Sequence, residues 1–181
     1  LEYYRGDTLN WTQIEMTSTE PLGGGTGSNT GTGHRGLYGS GQVAPSTGSY
    51  TNAIEYLTIS TLGDAQDFGD LAWAGNGRAC SNGIRSVSSN STPSATTALQ
   101  SGLIATRGNY INYGDLATAN DGGGSFTTSD KTRGLWGINA PSATNTMEYI
   151  SMSTGGTGAD FGDLTQEIGN SGGTSNAHGG L

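Results

Sequence analysis

One short motif, Phe/Tyr-Gly-Asp-Leu, occurs three times in this chain, as Phe68-Gly69-Asp70-Leu71, Tyr113-Gly114-Asp115-Leu116 and Phe161-Gly162-Asp163-Leu164. The aromatics are 45 and 48 residues apart. A period of this size is the mark of a fold assembled from repeated supersecondary units, none of which buries its apolar face alone. The copies agree beyond the motif. Ile54-Glu55-Tyr56-Leu57-Thr58-Ile59-Ser60-Thr61 aligns without gaps with Met147-Glu148-Tyr149-Ile150-Ser151-Met152-Ser153-Thr154, and in both the aromatic follows the first apolar residue by 14 positions. Counting back 14 from Tyr113 starts a degenerate copy near Leu99. A fourth copy opens at Leu1-Glu2-Tyr3-Tyr4, with Asn10-Trp11-Thr12-Gln13-Ile14 where Asp-Phe-Gly-Asp-Leu is expected.

A second element follows each copy. It is His34-Arg35-Gly36-Leu37-Tyr38-Gly39, then Ile84-Arg85-Ser86-Val87, then Thr132-Arg133-Gly134-Leu135-Trp136-Gly137, and last His178-Gly179-Gly180-Leu181. Four starts and four ends give the expectation of a single repeat domain over 1–181, with units starting near 1, 54, 99 and 147. Within a unit, Glu-Tyr-Leu-Thr-Ile-Ser alternates polar and apolar residues and is rich in β-branched and aromatic types, which predicts a half-buried strand. The motif predicts a second strand or a tight corner, and Arg-Gly-Leu a short third strand whose glycines allow close backbone approach. Turns are expected at Thr61-Leu62-Gly63-Asp64 and at Ser142-Ala143-Thr144-Asn145. No stretch sustains the 3.6-residue period of a helix. Three or four short strands per 45 residues predict an all-β, propeller-like array of four units of about 45–50 residues with little helix.

Composition narrows the function classes. Only 31% of residues are hydrophobic and 33 of 181 are Gly, but charged residues are also scarce at 12% and the apolar residues cluster at regular intervals, which suits many short strands rather than disorder. The net charge is −8, with one lysine, Lys131, and six arginines that do not cluster. Displacing phosphate counterions takes clustered Lys/Arg, so nucleic acid is excluded as a partner. Membrane insertion is not expected, because no apolar run nears the ~18 residues that span a bilayer. The residues present carry no signal-peptide pattern, and the chain opens on Leu1 rather than Met, as a processed protein or part of a longer polypeptide would. The single cysteine, Cys80, rules out an intrachain disulfide and a Cys-based metal site, and is expected to be a small buried residue.

The order Arg-Gly-Leu-Tyr/Trp-Gly, then Asn-(Ala/Thr)-(Ile/Met)-Glu-Tyr-(Leu/Ile)-(Thr/Ser)-(Ile/Met), then Asp-Phe-Gly-Asp-Leu resembles the kelch-like repeats of virion structural proteins in tailed bacteriophages, especially marine and cyanobacterial ones. The likeness is strongest at 54–71 and 147–164, weaker at 99–137 and weakest in the first copy. It departs from the general kelch pattern in lacking the Gly-Gly doublet, of which Gly39-Ser40-Gly41 is the nearest trace. The resemblance implies a repeat fold, a tail-fibre or tail-associated location on the virion, and no particular catalytic residue.

Each candidate site has a structural counterpart. Asp70, Asp115 and Asp163 could line an axial channel or hold Ca²⁺ through oxygen ligands, but a position repeated in every unit signals architecture, with the carboxylate accepting backbone N–H bonds in a turn. Phe68, Tyr113, Phe161 and Trp11 are expected core anchors. Tyr38 and Trp136 could stack on sugars if exposed, although a strand position favours packing. His34 and His178 match one another across units, with no symmetric partners to complete a metal site. Thr128-Ser129-Asp130-Lys131-Thr132-Arg133 is expected to form an Asp-capped hairpin turn. Asn10-Trp11-Thr12 and Asn90-Ser91-Thr92 are glycosylation triplets. No Gly-x-Ser-x-Gly, His-Glu-x-x-His or phosphate loop occurs.

The expectation is therefore a non-enzymatic structural or binding module without cofactor, metal or catalytic residues, in an oligomeric assembly on the virion surface. Its partners would be other virion proteins, copies of itself or a host-surface glycan, met through loops at 18–33, 72–83, 117–130 and 165–177. Two alternatives stand beside it. A propeller-fold depolymerase would need a carboxylate pair in one pocket, for which Glu15, Glu20 and Glu167 fall outside the repeat. A cellular surface filament would use the acidic surface for solubility.

Overall fold

The computed structural model describes residues 2–5, 10–13, 35–45, 48–59, 63–90, 95–121, 126–139 and 142–175, and the first two segments by backbone alone. The described residues contain thirteen strands and no helix: β1 Glu2–Arg5, β2 Asn10–Gln13, β3 Arg35–Gly39, β4 Ala53–Thr58, β5 Gln66–Asp70, β6 Ala79–Ser81, β7 Arg85–Ser89, β8 Thr96–Leu103, β9 Ile111–Asn120, β10 Thr127–Ser129, β11 Arg133–Asn139, β12 Ala143–Ser151 and β13 Gly155–Ile168. The protein is all-β. β3-β4-β5 form one antiparallel sheet, β1-β2 form a hairpin, and the remaining strands form an eight-stranded sheet in the order β10-β11-β12-β13-β9-β8-β7-β6.

The repeated motif has one structural meaning in all three copies. Ile54 pairs with Gly69 but Glu55 with Asp67, so Phe68 is the extra residue of a β-bulge. Leu99 pairs with Gly114 and Gln100 with Asn112, leaving Tyr113 extra. Met147 pairs with Gly162 and Glu148 with Asp160, leaving Phe161 extra. The three glycines have φ of 139°, 133° and 122°, a region costly for residues with a Cβ. Asn112 Oδ1 accepts the Gly114 N–H at 3.0 Å and Asp160 Oδ1 accepts the Gly162 N–H at 3.1 Å, which fixes the bend locally. In the first hairpin, where Thr12 takes the glycine's place, β1 and β2 pair without a break from Glu2↔Gln13 to Arg5↔Asn10.

Two antiparallel meanders, β6–β9 and β10–β13, make up the eight-stranded sheet. They meet through a parallel pairing of their last strands, Gly156↔Gly114 and Thr157↔Asp115. On the other side β10 lies beside β6: the Thr127 hydroxyl donates to Ala79 O at 2.8 Å and the Ser129 hydroxyl to Ser81 O at 2.6 Å. The result is a nearly closed, barrel-like sheet. Its interior holds Cys80, Val87, Leu99 and Leu116 from one meander and Trp136, Ile138, Ile150 and Met152 from β11, β12 and the turn after β12. A second core packs Ile54, Tyr56, Phe68 and Leu71 against Tyr110, with half-buried Leu37 beside them. Each cluster thus lies between successive units, which is how short units with few apolar residues exclude water.

Some strands fall where a loop or turn is expected from the sequence. β6 lies within 72–83, the end of β9 and all of β10 lie within 117–130, and β13 runs into 165–177 as far as Ile168. The expected turn at 142–145 belongs largely to β12. These segments are Ser-, Thr- and Ala-rich, and their pairing rests on backbone and hydroxyl bonds that leave no apolar alternation. The stretch 18–33 lies outside the described residues. Among the described residues there is no helix long and apolar enough to cross a membrane.

Candidate functional site

A cleft of about 790 Å³ opens where the units meet edge to edge. Leu37, Tyr38 and Gly39 of β3, Arg78 and Ala79 at β6, Phe126 and Thr127 at β10, and Ser171, Gly172 and Gly173 line it, together with Glu55, Gln42 and Thr51. Its wall after β3 is built by local backbone geometry. Ser40 and Gly41 have φ of 70° and 121°, turning the chain sharply out of the strand. The Ser40 hydroxyl donates to Gly75 O and accepts the Gly77 N–H at 3.1 Å, which ties this turn to the segment leading into β6. Tyr38 is 60% exposed at the cleft, an aromatic face surrounded by amide, hydroxyl, carboxylate and guanidinium groups. Such a surface can stack on a flat apolar ring face while hydrogen bonding to hydroxyls around its edge.

A second feature repeats with the motif. Arg35 stacks on Tyr56 at 4.8 Å and Arg133 on Tyr149 at 5.0 Å, and each tyrosine meets its bulge aromatic edge-on, at 6.1 Å for Phe68 and 5.9 Å for Phe161. Ser101 occupies the tyrosine's position in the middle copy, so Arg85 bonds its hydroxyl at 2.9 Å and stacks on Tyr113 instead, at 4.6 Å. The first stack is buried: Arg107 covers the other side of Tyr56 and bonds its hydroxyl, while Arg35 donates to Ile104 O at 2.7 Å. The stack at Arg133 is open to solvent, with Phe161 44% exposed against 2% for Phe68.

Phe68 is accordingly a core anchor and Tyr113 packs half-buried against the barrel core, but Phe161 corrects the expectation, because no following unit among the described residues covers it. Trp136 is fully buried, whereas Tyr38 is exposed despite its strand position, since it sits on the face of β3 away from the second core. The three aspartates also differ from the turn reading. They lie in strands just after the bulge, and Asp115 accepts the Thr97 hydroxyl at 2.9 Å. No group of three or more His, Cys, Asp or Glu able to hold a metal ion occurs among the described residues. The Asp130 turn is as expected: Oδ1 accepts the N–H groups of Thr132 and Arg133, both at 2.6 Å, and these bonds hold its carboxyl below the ordinary range. Asn82 does the same between β6 and β7, toward Ile84 at 3.1 Å and Arg85 at 2.9 Å. Burial pushes the Cys80 thiol pKa well above its ordinary value. Asn90 is buried, Glu167 is exposed on β13, and Trp11, Glu15, Glu20, His34 and His178 lie outside the residues whose side chains are described.

Two sets of repeat residues emerge only from the packing. Gln100 Oε1 accepts the Ala72 N–H at 2.6 Å and Glu148 Oε2 accepts the Ala117 N–H at 2.7 Å. In each case the polar residue after the first apolar position bonds the residue that follows the previous unit's motif. Gly108 and Gly156 stand nine positions after Leu99 and Met147 and lie against Gly69 and Gly114 of the preceding unit. The matching residues of the β3-β4-β5 unit are Glu55 and Gly63. Gln42 and Arg78 carry no repeat signal. Comparison with protein-family models finds no match to this chain, and comparison with curated proteins finds none either.

Proposed function

We propose that this chain is a non-enzymatic structural and binding module, an all-β repeat scaffold that offers the Tyr38 cleft to a glycan. The external assembly would be of the tail-fibre or tail-associated kind that the sequence resemblance implies. The observation that carries the binding reading is the 60% exposure of Tyr38 in the lining of a cleft of about 790 Å³. Tyr38 and Phe161 are the two large aromatics exposed among the described residues, and Tyr38 is the one that lines a concave site with hydrogen-bonding groups around it, as a ligand site requires. Glycan-array binding followed by calorimetry tests this. Tyr38→Ala should weaken binding ~tenfold or more with an unchanged melting temperature. Absence of glycan binding, or a variant that binds as tightly, sinks the cleft reading. Release of reducing sugar ends from a bound polysaccharide sinks the non-enzymatic one. Immunolabelling of phage particles tests the location.

The finer architectural reading is a propeller-like array of four kelch-like units. Its support is the common bulge register of three units and the succession of Ala79–Ser81, Thr127–Ser129 and the segment at Ser175, whose hydroxyl donates to Ser129 O at 2.7 Å. The parallel joining of β9 to β13 favours barrel-like closure between the last two described units.

A further inference from the structure

We infer that the exposed face of the last described unit, around Arg133, Tyr149 and Phe161, is the docking site for the β3-β4-β5 unit of a second copy of this chain. The occupant follows from the two junctions already inside the molecule. At each junction three contacts recur. The motif glycine meets the next unit's turn glycine so closely that a Cβ on Gly69 would stand 2.6 Å from Gly108 backbone, and one on Gly114 2.0 Å from Gly156 O. The residue after the motif donates its N–H to the next unit's Gln100 or Glu148. A ring or guanidinium group of the bulge stack reaches a carbonyl of the next unit's turn: Arg35 to Ile104 O at 2.7 Å, and the Tyr113 hydroxyl to Met152 O at 2.9 Å.

Each half of this contact set recurs without a counterpart among the residues whose side chains are described, one on the β11-β12-β13 unit and the other on the β3-β4-β5 unit. On the last unit, a Cβ at Gly162 would meet nothing within 4 Å, Thr165 follows the motif as Ala72 and Ala117 do, and Phe161 is 44% exposed. On the β3-β4-β5 unit, Gly63 has φ of 153° with nothing within 4 Å of its Cβ position, Glu55 is exposed, and Ile59, which corresponds to Ile104 and Met152, is 66% exposed. A second copy would therefore bring Gly63 backbone to Gly162, the Glu55 carboxylate to the Thr165 N–H, and Ile59 O to the Arg133 guanidinium, with the Ile59 side chain covering Phe161. The two faces differ, so the association is head-to-tail, closing into a ring or extending as a filament.

Sedimentation velocity across a concentration series tests this without any glycan, so its outcome is independent of the cleft reading. The wild-type chain should form species heavier than one copy. Ile59→Asp and Phe161→Asp should each raise the dissociation constant ~tenfold or more, with far-UV circular dichroism and melting temperature of the isolated chain unchanged. An equimolar mixture of the two variants should stop at dimers, because each retains one intact end. Glu55→Gln should assemble like the wild type, since Gln100 already serves at this position, whereas Glu55→Leu should not. A chain that stays monomeric at all concentrations overturns the inference. So does a loss of monomer stability in Ile59→Asp or Phe161→Asp, which would place a segment of the same chain over these residues.

Discussion

Glu148 accepts the backbone N–H of Ala117 at 2.7 Å across the boundary between two repeat units, and Gln100 makes the equivalent bond to Ala72 at 2.6 Å. The Glu148 side chain is 3% exposed while Ala117 is exposed, so the acceptor is shielded from water and the donor only in part. Replacement by Leu leaves a partly shielded N–H without its acceptor, at a cost of about 1 kcal/mol. Replacement by Gln keeps the oxygen. Glu148→Gln should therefore unfold in urea within ~0.5 kcal/mol of the wild type on the scale where Glu148→Leu loses about one. Equal losses in the two variants would show that the acceptor is not what matters there.

Gly114 and Gly162 have similar backbone angles, φ of 133° and 122°, but different surroundings. A Cβ on Gly114 would lie 2.0 Å from Gly156 O, while one on Gly162 meets nothing within 4 Å. Gly162→Ala should cost only the conformational strain, about 1–3 kcal/mol. Gly114→Ala adds a backbone collision that separates β9 from β13, and should lower the melting temperature at least twice as far or abolish folding. Comparable thermal shifts would sink the claim that close backbone approach, beyond positive φ, requires this glycine.

Asp130 gives the hairpin before β11 a defined pH dependence. Its folded carboxyl lies below the ordinary aspartate value of 3.8, first because the Arg133 N–H bonds it and then because the Thr132 N–H does. A depressed folded pKa contributes stability that is complete above the unfolded value and lost as pH falls through the folded one. The stability difference between the wild type and Asp130→Asn should therefore be constant at neutral pH and change only below about pH 4. Asn82 shows that an amide can make the same bonds, so the neutral-pH difference should be small. NMR titration of the Asp130 carboxyl gives the direct check, and a midpoint at or above the ordinary aspartate value would contradict it.

Cys80 is buried in the barrel core with its thiol pKa raised by loss of solvation. The thiolate is the reactive form. Native protein should react with an aromatic disulfide reagent orders of magnitude more slowly than urea-unfolded protein, and the native rate should rise with urea in step with unfolding. Fast labelling at neutral pH without denaturant would place the thiol outside the core.

Much of the local structure is legible in the residues. The motif period locates three bulged strands, Glu-Tyr alternation locates β4 and β12, and the Arg-Gly-Leu element locates β3 and β11. The short strands β6 and β10 are not legible, because Ala79-Cys80-Ser81 and Thr127-Thr128-Ser129 have too little apolar alternation, and hydroxyl-to-carbonyl bonds with a neighbour 48 residues away help hold them. The cleft is equally silent in sequence. Tyr38 and Trp136 follow the same Arg-Gly-Leu pattern, and no local rule separates the 60% exposed ring from the buried one.

The sequence by itself determined that the chain is all-β, that the Phe/Tyr-Gly-Asp-Leu unit recurs, and that each copy places a glycine where the backbone must bend. These follow from period-two patterning and from positive φ, both properties of a few neighbouring residues. Only the tertiary structure decided which strands pair, that two meanders join through Gly114 and Gly156 into a barrel-like sheet, and which copy of each repeated residue is buried. Identical units acquire different exposures from what stacks on them, so Phe68 is core and Phe161 is surface although their motifs are the same.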